Sequence, residues 1–421
     1  MSTVFLVQSE PGFWVRTVAQ HARAAGHRPV LLSAPLTDEQ RRKCAEFVED
    51  VVELDDITDP EALAAKVREL SDDGRIITCA DTVMVAATQA AELLGVARLP
   101  ASVFVNIRNK FAARQIMAAA GLASPKFALL HSAAEARQVA EAVGLPAIVK
   151  PVNGAGSHLV RAVRTVDELA DAHREMAERA PGSINALYDR PLGGLDPTRS
   201  FLVEGMLEGR EHIVDLVIRD GAVVWIRNAG KPIVDGSFRE PILMVPALGL
   251  SAELEQALRR QAVAAVHALG LHDGVAHVEL IDDKELGPTI VEVNAGRPGG
   301  GVLSLMHELN SGIQLFAESL AAALGEPRPP QLDAKITIPV ASSIVFADES
   351  GRLVRIHGLD EVADLPEVLD VLPTVEPGQL IDAEHEVFVV NVLLAGFSSE
   401  AEVIDLHEEI LQLVHLEIAP E

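Results

Sequence analysis

The stretch from Gly274 to Gly301, GVAHVELIDDKELGPTIVEVNAGRPGGG, restricts the possible folds more than any other part of the chain. Two apolar runs, Val275–Ile281 and Thr289–Asn294, flank the polar turn DDKELGP, which is the pattern of a β-hairpin. Glu279 and Glu292 are separated by an odd number of positions. In an antiparallel hairpin without a bulge, that parity places both carboxylates on the same face of the sheet.

Side chains that alternate along the same strands bring His277 and Asn294 to this face. The oxygens of Glu279, Glu292 and Asn294 are the kind of ligand that Mg²⁺ or Mn²⁺ takes, with water and phosphate completing the shell. The sequence therefore predicts a metal site on the hairpin. The alternative is an exposed hairpin whose polar positions face water.

The residues that directly follow the hairpin favour a bound anion. Arg297 can hold a phosphate or a developing oxyanion, because its guanidinium donates several hydrogen bonds in a fixed plane. Gly299 and Gly300 come next and would let the backbone approach a ligand closely.

The composition limits the class of protein. A chain of 421 residues is too long for one core, which predicts two to four structural units. The net charge of -27 repels nucleic acid and anionic membrane, so we expect neither as a partner. Two cysteines without a C-x-x-C motif, a start that lacks the layout of a secretion signal, and no apolar run of membrane-spanning length predict a cytoplasmic protein.

Residues 1–105 alternate strand and helix signals and predict an α/β domain with a parallel sheet. The loop after the first strand, QSEPG, lacks the G-x-G-x-x-G motif, so no dinucleotide site is indicated. Asp81 follows a later strand. We expect it to cap a helix N-terminus, and contact with a ligand is the alternative.

Residues 106–203 predict a second unit. Lys110 lies on its first helix, where a solvated lysine is the alternative to a functional one. Lys150 ends a strand and is placed to contact phosphate or adenine. The loop Asn153–His158 follows that strand, and its glycines and N–H groups can cradle phosphate, although an ordinary hairpin turn is the alternative.

The pattern over residues 204–330 predicts a third unit. The pattern over residues 331–421 predicts a small α+β unit. Glu204 and Glu211 bracket Met206 and Leu207, an apolar bend that can hold a purine, with an exposed sheet edge as the alternative. An irregular loop after residue 228 carries further charged residues, and long loops in enzymes often carry function. The charged residues of this loop are Lys231, Arg239 and Glu240.

The order of these motifs resembles the ATP-grasp superfamily, and within it the L-amino acid ligases. The motifs are Lys110, then IVKP with the glycine loop, then VEGMLEGRE, then HVEL, then VEVNAGRPGGG. The resemblance implies an ATP-grasp fold: an N-terminal α/β domain, two α+β lobes that grip ATP, and a C-terminal subdomain. One departure is the extra Gly296, because related ligases often read N-A-R-P-G-G.

The resemblance also implies roles for individual residues. The nucleotide-binding residues would be Lys110, Lys150, Gly154, Gly156, Ser157, Glu204, Met206, Leu207, Glu211 and Asn294. The metal ligands would be Glu279, Glu292 and Asn294, and the residues that take part in the chemistry Arg297, Glu292 and Lys150. On the substrate side we place His158, Lys231, Arg239, Glu240, His277, Arg297, Gly299 and Gly300.

The activity implied by the resemblance is ATP-dependent ligation of an amino acid carboxylate to an amine through an acyl phosphate. The expected ligands are ATP, Mg²⁺ and amino acids, and a homodimer is the expected assembly. Two alternatives stay open. One is another ATP-grasp activity, such as a bicarbonate-activating carboxylase or a purine-pathway ligase, and the other is a nucleotide-binding protein without turnover.

Overall fold

A computed structural model describes residues 2–8, 12–154, 156–181, 190–232, 239–326, 338–383 and 387–420. These residues form four β-sheets with helices packed against them.

The N-terminal sheet consists of four parallel strands in the order β3-β2-β1-β4, as predicted for this region. The strands are β1 (Thr3–Gln8), β2 (Arg28–Ser33), β3 (Asp50–Glu53) and β4 (Arg75–Ile77). Helices cover this sheet: α1 (Phe13–Ala24), α2 (Asp38–Cys44), α3 (Pro60–Leu70) and α4 (Met84–Leu93). The apolar run Val4–Val7 is fully buried, which is typical of a parallel strand covered on both faces.

Two short helices, α5 (Ala101–Arg108) and α6 (Lys110–Ala119), lead out of this domain. The break between them falls at Asn109, whose backbone is extended. Its side chain accepts a hydrogen bond from the Ala112 N–H at 3.1 Å and so caps α6. Lys110 is therefore the first residue of a capped helix.

The second sheet is antiparallel, in the order β5-β8-β6-β7. Its strands and helices are β5 (Phe127–Leu130), α7 (Ala136–Val143), β6 (Ala147–Pro151), β7 (Arg161–Val163), α8 (Val166–Arg179) and β8 (Phe201–Gly205). Leu169 and Met176 of α8 are buried against Phe201 of the sheet. The hairpin β6–β7 carries the glycine loop, which we call the flap and define as residues 152–160.

The central sheet has eight antiparallel strands in the order β13-β12-β9-β10-β11-β14-β18-β16. Its strands are β9 (Gly209–Arg219), β10 (Ala222–Gly230), β11 (Ile242–Val245), β12 (Gly274–Asp283), β13 (Gly287–Ala295), β14 (Val340–Phe346), β16 (Val368–Pro373) and β18 (Phe388–Leu394). The fourth sheet has the order β17-β15-β19 and consists of β15 (Gly351–His357), β17 (Leu380–Ile381) and β19 (His415–Ala419). The remaining helices are α9 (Ala252–Ala268), α10 (Gly301–Ser311), α11 (Leu315–Leu324), α12 (Leu359–Ala363) and α13 (Glu400–Leu413). The largest hydrophobic core lies between the central sheet and the helices α5, α6 and α9.

The C-terminal residues form α+β structure, as expected, but they also extend the central sheet. Strand β14 pairs with β11, Met244 opposite Ala341, and β18 and β16 continue the sheet beyond it. The short strand β11 would otherwise leave a row of backbone groups without partners, which is unfavourable at a buried edge. Among the described residues, no helix is both long and apolar enough to cross a membrane.

Candidate active site

The hairpin β12–β13 forms at the position that the sequence predicts. Glu279 lies directly opposite Glu292, and His277 lies opposite Asn294. Asp283 pairs with Gly287 across a turn of three residues, and this turn without a bulge would place Glu279 and Glu292 on opposite faces. The bulge between Glu279 and Leu280 brings them to one face, so parity alone does not fix the shared face. Their side chains are each 21% exposed, and His277 and Asn294 are buried. The polar face of the hairpin therefore points into the protein and not into open solvent.

Lys110 makes an ion pair with Glu292. The Nζ–Oε1 distance is 2.5 Å, and the same Nζ donates to the Gly154 carbonyl of the flap at 3.3 Å. Burial lowers the pKa of Lys110, although Glu292 acts in the opposite direction. Lys110 is thus not a solvated helix lysine, because it links the hairpin to the flap.

Lys150 and Arg114 both contact Glu204, the last-but-one residue of β8. The Nζ of Lys150 lies 2.5 Å from one carboxylate oxygen and the Nε of Arg114 lies 2.6 Å from the other. Burial opposes the charge of Glu204, but the two cations outweigh it and lower its pKa to about 2. Arg114 also donates to the Ile290 carbonyl at 2.8 Å and so joins β8 to the central hairpin.

Arg114 is not among the residues that the sequence motifs predicted for this site. The signal that was available is its spacing of one helical turn from Lys110, which places both side chains on the same face of α6.

Three glutamates surround Lys231, which lies directly after β10. Its Nζ is 2.6 Å from Glu211 and 3.7 Å from Glu279, and it also pairs with Glu240. One carboxylate oxygen from each glutamate lies within 4.8 Å of the other two. Although burial lowers the pKa of Lys231, the three glutamates raise it well above its usual range, so this side chain stays charged.

This cluster rearranges the predicted site. Glu279 was expected to share a metal with Glu292 and Asn294, whereas the structure also gathers Glu211 and Glu240 around it. Carboxylate oxygens at this spacing fit a hard cation such as Mg²⁺, and the Lys231 ammonium supplies part of the positive charge that the cluster requires. The residues present therefore fit a divalent ion on this face of the hairpin.

Glu279 lies next to a buried group of two histidines and one aspartate. Asp215 of β9 is fully buried and contacts His277 Nδ1 at 2.8 Å and His307 Nε2 at 2.7 Å. The other ring nitrogen of His277 lies 3.5 Å from Glu279. Burial lowers the pKa of His277, but Asp215 and then Glu279 outweigh it and raise the value to about 9. A Cβ added at Gly299 would lie 2.2 Å from the His277 ring, so only glycine fits there.

Arg297 makes a two-point ion pair with Asp81 of the N-terminal domain, with 2.7 Å for each contact. The expectation that Asp81 caps a helix is wrong: α4 begins three residues further on, and its cap residue is Val83, which makes no side-chain cap hydrogen bond. Arg297 follows Gly296, whose φ of +77° lies in the left-handed region. A Cβ at Gly296 would lie 3.1 Å from the Phe104 ring, which accounts for a glycine at this inserted position.

The flap combines one anchored end with an exposed tip. The Gly154 carbonyl accepts hydrogen bonds from Lys110 and Arg108, whereas Gly156 and Ser157 are exposed and His158 is half-buried. Ala155 lies outside the described residues. Gly156 and Ser157 both have positive φ values, which turn their backbone sharply at the tip.

The chain passes from the second sheet to the central sheet between Gly205 and Gly209. In this linker the Met206 N–H donates to the Pro146 carbonyl at 3.1 Å, and the Met206 side chain is 37% exposed. Leu207 also lies in the linker. An exposed apolar side chain next to fixed backbone groups is a suitable surface for a planar ring.

Two predicted substrate residues stand apart from these ion pairs. Arg239 contacts Asp348 at 2.9 Å and lies over the Phe346 ring, both of them in the C-terminal part of the chain. Gly300 is the cap residue of α10, with a φ of +103°. The other predicted residues lie on the hairpin, the flap, the linker or the cluster around Lys231, and their roles remain predictions.

Models of three known domains match successive parts of the sequence. An ATP-grasp N-terminal domain matches residues 19–100, an ATP-grasp domain matches 143–304, and L-amino acid ligase C-terminal domain 2 matches 343–419. The chain belongs to the ATP-grasp superfamily. This assignment confirms the fold and the family that the motifs predicted. ATP-grasp enzymes are ATP-dependent ligases that use ATP with Mg²⁺.

A solved ATP-grasp structure agrees with this assignment. The crystal structure of L-amino acid ligase from Bacillus licheniformis superposes with a TM-score of 0.79 and covers 100% of this chain and 99% of that chain. The sequence identity is 24%, so this similarity establishes the fold.

Two curated relatives share part of the ATP-grasp region. Uncharacterized protein y4rH of Sinorhizobium fredii (strain NBRC 101917 / NGR234) is 32% identical over 280 residues, which are 64% of this chain and 52% of that protein. Carnosine synthase 1 of Homo sapiens is 29% identical over 198 residues, which are 47% of this chain and 23% of that protein. The chain therefore spans about half the length of the first relative and about a quarter of the second.

Proposed function

We propose that the protein is an ATP-dependent ligase that joins an amino acid carboxylate to an amine and yields a dipeptide or a similar amide, ADP and phosphate. The observation that carries the proposal is the direct pairing of Glu279 with Glu292 on a shielded face, where each carboxylate already contacts a lysine. Such a face has oxygen ligands for a cation and ammonium groups for phosphate within one site. The match to an L-amino acid ligase C-terminal domain and the partial similarity to carnosine synthase 1 support this substrate class.

Lys110 and Lys150 would bind the phosphates and the nucleotide. Each now contacts a glutamate, so we expect its ammonium group to move toward phosphate oxygens when ATP binds. Glu279 and Glu292 would hold Mg²⁺, together with Asn294 or with the glutamates around Lys231. Bound Mg²⁺ would neutralise the phosphate charge, which is most of what phosphoryl transfer requires.

The remaining predicted residues divide between nucleotide and substrate. Met206, Leu207 and Glu211 would hold adenosine, and the flap would cover the phosphates and exclude water from the site. The substrate carboxylate would attack the γ-phosphorus with loss of ADP, and the amine would then displace phosphate from the acyl phosphate. Arg297 would stabilise the oxyanion of this second step, a contribution of about 3 kcal/mol in comparable sites.

A panel of amino acid pairs tests the proposal. We expect ATP-dependent phosphate release to require both a carboxylate and an amine, and mass spectrometry to detect one amide for each phosphate. Phosphate release that requires bicarbonate instead would identify a carboxylase. Nucleotide binding without phosphate release over the whole panel would contradict the proposed activity. Cytoplasmic location, a homodimer, and the absence of nucleic acid and membrane partners stay proposals beside it.

A further inference from the structure

Asp81 lies between two arginines that come from different parts of the chain. Its Oδ1 accepts from the Nε of Arg297 at 2.7 Å, and its Oδ2 accepts from an Nη of Arg297 at 2.7 Å. The same Oδ2 forms an ion pair with an Nη of Arg108 at 3.2 Å. Asp81 belongs to the N-terminal domain, Arg108 ends α5, and Arg297 follows the central hairpin. One carboxylate thus joins three separate elements.

This ion cluster is shielded from water. The exposed fractions of the side chains are 9% for Asp81, 5% for Arg108 and 18% for Arg297. Burial opposes the charge of Asp81, but Arg108 and Arg297 outweigh it and hold its pKa below the usual range. Two guanidinium groups that contact the same carboxylate oxygen repel each other in a shielded site, so the carboxylate allows both to remain in place.

The cluster reaches the flap through Arg108. One Nη of this arginine donates to the side-chain oxygen of Asn153 at 3.0 Å and to the Gly154 carbonyl at 3.1 Å. The same carbonyl accepts from Lys110, which contacts Glu292. A continuous set of charged contacts therefore runs from Arg297 through Asp81 and Arg108 to the first residues of the flap.

We propose that Asp81 is a positioning residue of the active site: it fixes the guanidinium of Arg297 and, through Arg108, ties that arginine to the anchored end of the flap. The proposal rests on the proposed function for the role of Arg297 in the reaction. It adds that the N-terminal domain contributes an essential carboxylate that does not itself touch the reacting atoms.

The geometry separates this role from a general structural one. The two contacts use the Nε and Nη edge of the guanidinium, so they fix its rotation as well as its place. Asp81→Asn replaces one acceptor oxygen by an N–H donor that faces a cation. Asp81→Glu keeps both acceptors on a side chain one methylene longer, so it should restore part of the effect.

A first measurement does not depend on any substrate. Hydrogen exchange is followed by mass spectrometry in the full chain for the wild type, Asp81→Asn and Asp81→Glu. We expect Asp81→Asn to accelerate exchange by about tenfold or more in residues 152–160 and 295–301, and Asp81→Glu to do so less. The control is Asp56→Asn. Asp56 also belongs to the N-terminal domain and pairs with an arginine, Arg190, at 2.8 Å, but this pair is exposed on the surface. Unchanged exchange in the flap would overturn the proposed tie.

A second measurement uses an amino acid pair that supports turnover. We expect Asp81→Asn to lower kcat about 100-fold, the scale of a slightly misplaced catalytic group, with little change in the KM for ATP. Asp81→Glu should recover part of kcat. An effect on the KM for ATP alone, or equal loss in both variants, would overturn positioning of Arg297. If no pair supports turnover in the wild type, the proposed function fails and the exchange result still decides the tie.

Asp81→Asn removes the negative charge that compensates Arg108 and Arg297, and the loss of this charge destabilises the fold. The double variant Asp81→Asn with Arg108→Gln removes one cation and one anion and restores the net charge of the cluster. We expect it to fold, to keep the low kcat and to keep the fast flap exchange. Wild-type kcat in a folded double variant would overturn the proposal.

Discussion

The fold controls the charge of Glu204, because this residue is 5% exposed and held between Lys150 and Arg114. Its pKa falls from 4.5 to about 2 in the folded protein. Since the folded value is the lower one, ionisation stabilises the fold above pH 4.5, and this stabilisation is lost as the pH falls toward 2. At about 1.4 kcal/mol for each pKa unit, the contribution at neutral pH is about 3 kcal/mol.

We expect Glu204→Gln to lower the free energy of unfolding at pH 7 by about 3–5 kcal/mol, because two buried cations lose their partner. The difference from wild type should shrink by about 2 kcal/mol between pH 6 and pH 3. Urea unfolding followed by circular dichroism measures both values. Glu175→Gln is the control, because Glu175 also lies between two arginines, at 2.7 Å from each, but is 40% exposed. A pH-independent difference would contradict the assigned charge.

The paired glutamates of the hairpin give a second prediction. We expect Glu279→Gln and Glu292→Gln each to lower ATP turnover by at least about 100-fold at saturating Mg²⁺ while the fold is retained, because each loses an anionic ligand. Phosphate release and circular dichroism measure the two properties. Glu285→Gln changes an exposed glutamate in the turn of the same hairpin and should keep wild-type turnover. Near wild-type turnover in either site variant would exclude the metal assignment.

At this scale, the sequence was informative where contacts are local. The hairpin that carries Glu279 and Glu292 could be predicted from its two apolar runs and its turn, whereas the pairing of the two glutamates depends on a bulge that the residue pattern does not indicate. The pair of Asp81 with Arg297 joins residues 216 positions apart, and no periodicity within one strand or helix contains that distance. Lys231, Glu211, Glu240 and Glu279 were each singled out, but their meeting in one cluster was not predicted, because Glu211, Lys231 and Glu279 are far apart in the sequence and meet only in the folded sheet.

The linker between Gly205 and Gly209 joins two sheets, and its ends differ in how tightly they are packed. A Cβ added at Gly209 would lie 1.9 Å from the Asp282 carbonyl oxygen, whereas one at Gly205 would meet atoms at 3.8 Å or more. The first distance is impossible without a shift of strand β9 or β12, and the second is an ordinary contact. The linker is therefore fixed on the central sheet at its Gly209 end.

We expect Gly209→Ala to destabilise the protein by about 1–3 kcal/mol, since backbone atoms must move to relieve the contact. Gly205→Ala should change stability by less than about 0.5 kcal/mol. The shift in the midpoint of thermal unfolding measures both effects. Equal shifts for the two alanine variants would show that the strands adjust freely and that Gly209 is not needed for close packing.

The elements themselves were easier to predict than their sheets. VFLV, RIITC and the runs around Glu279 are recognisable strands, and Ser251 and Ser399 each cap a helix by accepting a hydrogen bond from its first turn. The sequence does not show that β8 and β9, only a few residues apart, belong to different sheets. That assignment depends on which faces find apolar partners, such as Phe201 against α8.

For the whole molecule, the central sheet implies one cooperative unit. The hairpin with Glu279 and Glu292 is at one end, and the C-terminal strands β14, β18 and β16 are at the other. A ligand that binds only the folded state stabilises that entire unit, by about 2.7 kcal/mol at a concentration 100 times its Kd.

We therefore expect a non-hydrolysable ATP analogue to slow hydrogen exchange in β14 and β18 as well as in the flap and the hairpin. Mass spectrometry of peptides from residues 340–346 and 388–394 measures this effect. Glu292→Gln at the same analogue concentration is the control and should show weaker protection, because the analogue loses part of its metal-dependent binding. Protection confined to the flap and hairpin would show that the C-terminal strands unfold independently.

The pairing of strand β11 with strand β14 also has a consequence for how the C-terminal segment is exchanged in evolution. Residues 343–419 match a domain of their own, yet Ser343 pairs with Ile242, and Ile242 and Met244 are buried in the same core as Val390 and Val392. A gene fusion that exchanged only this segment would separate two halves of one core. Successful chimaeras should thus carry β11 with the C-terminal segment, so the unit of inheritance is larger than the segment that sequence matching delimits.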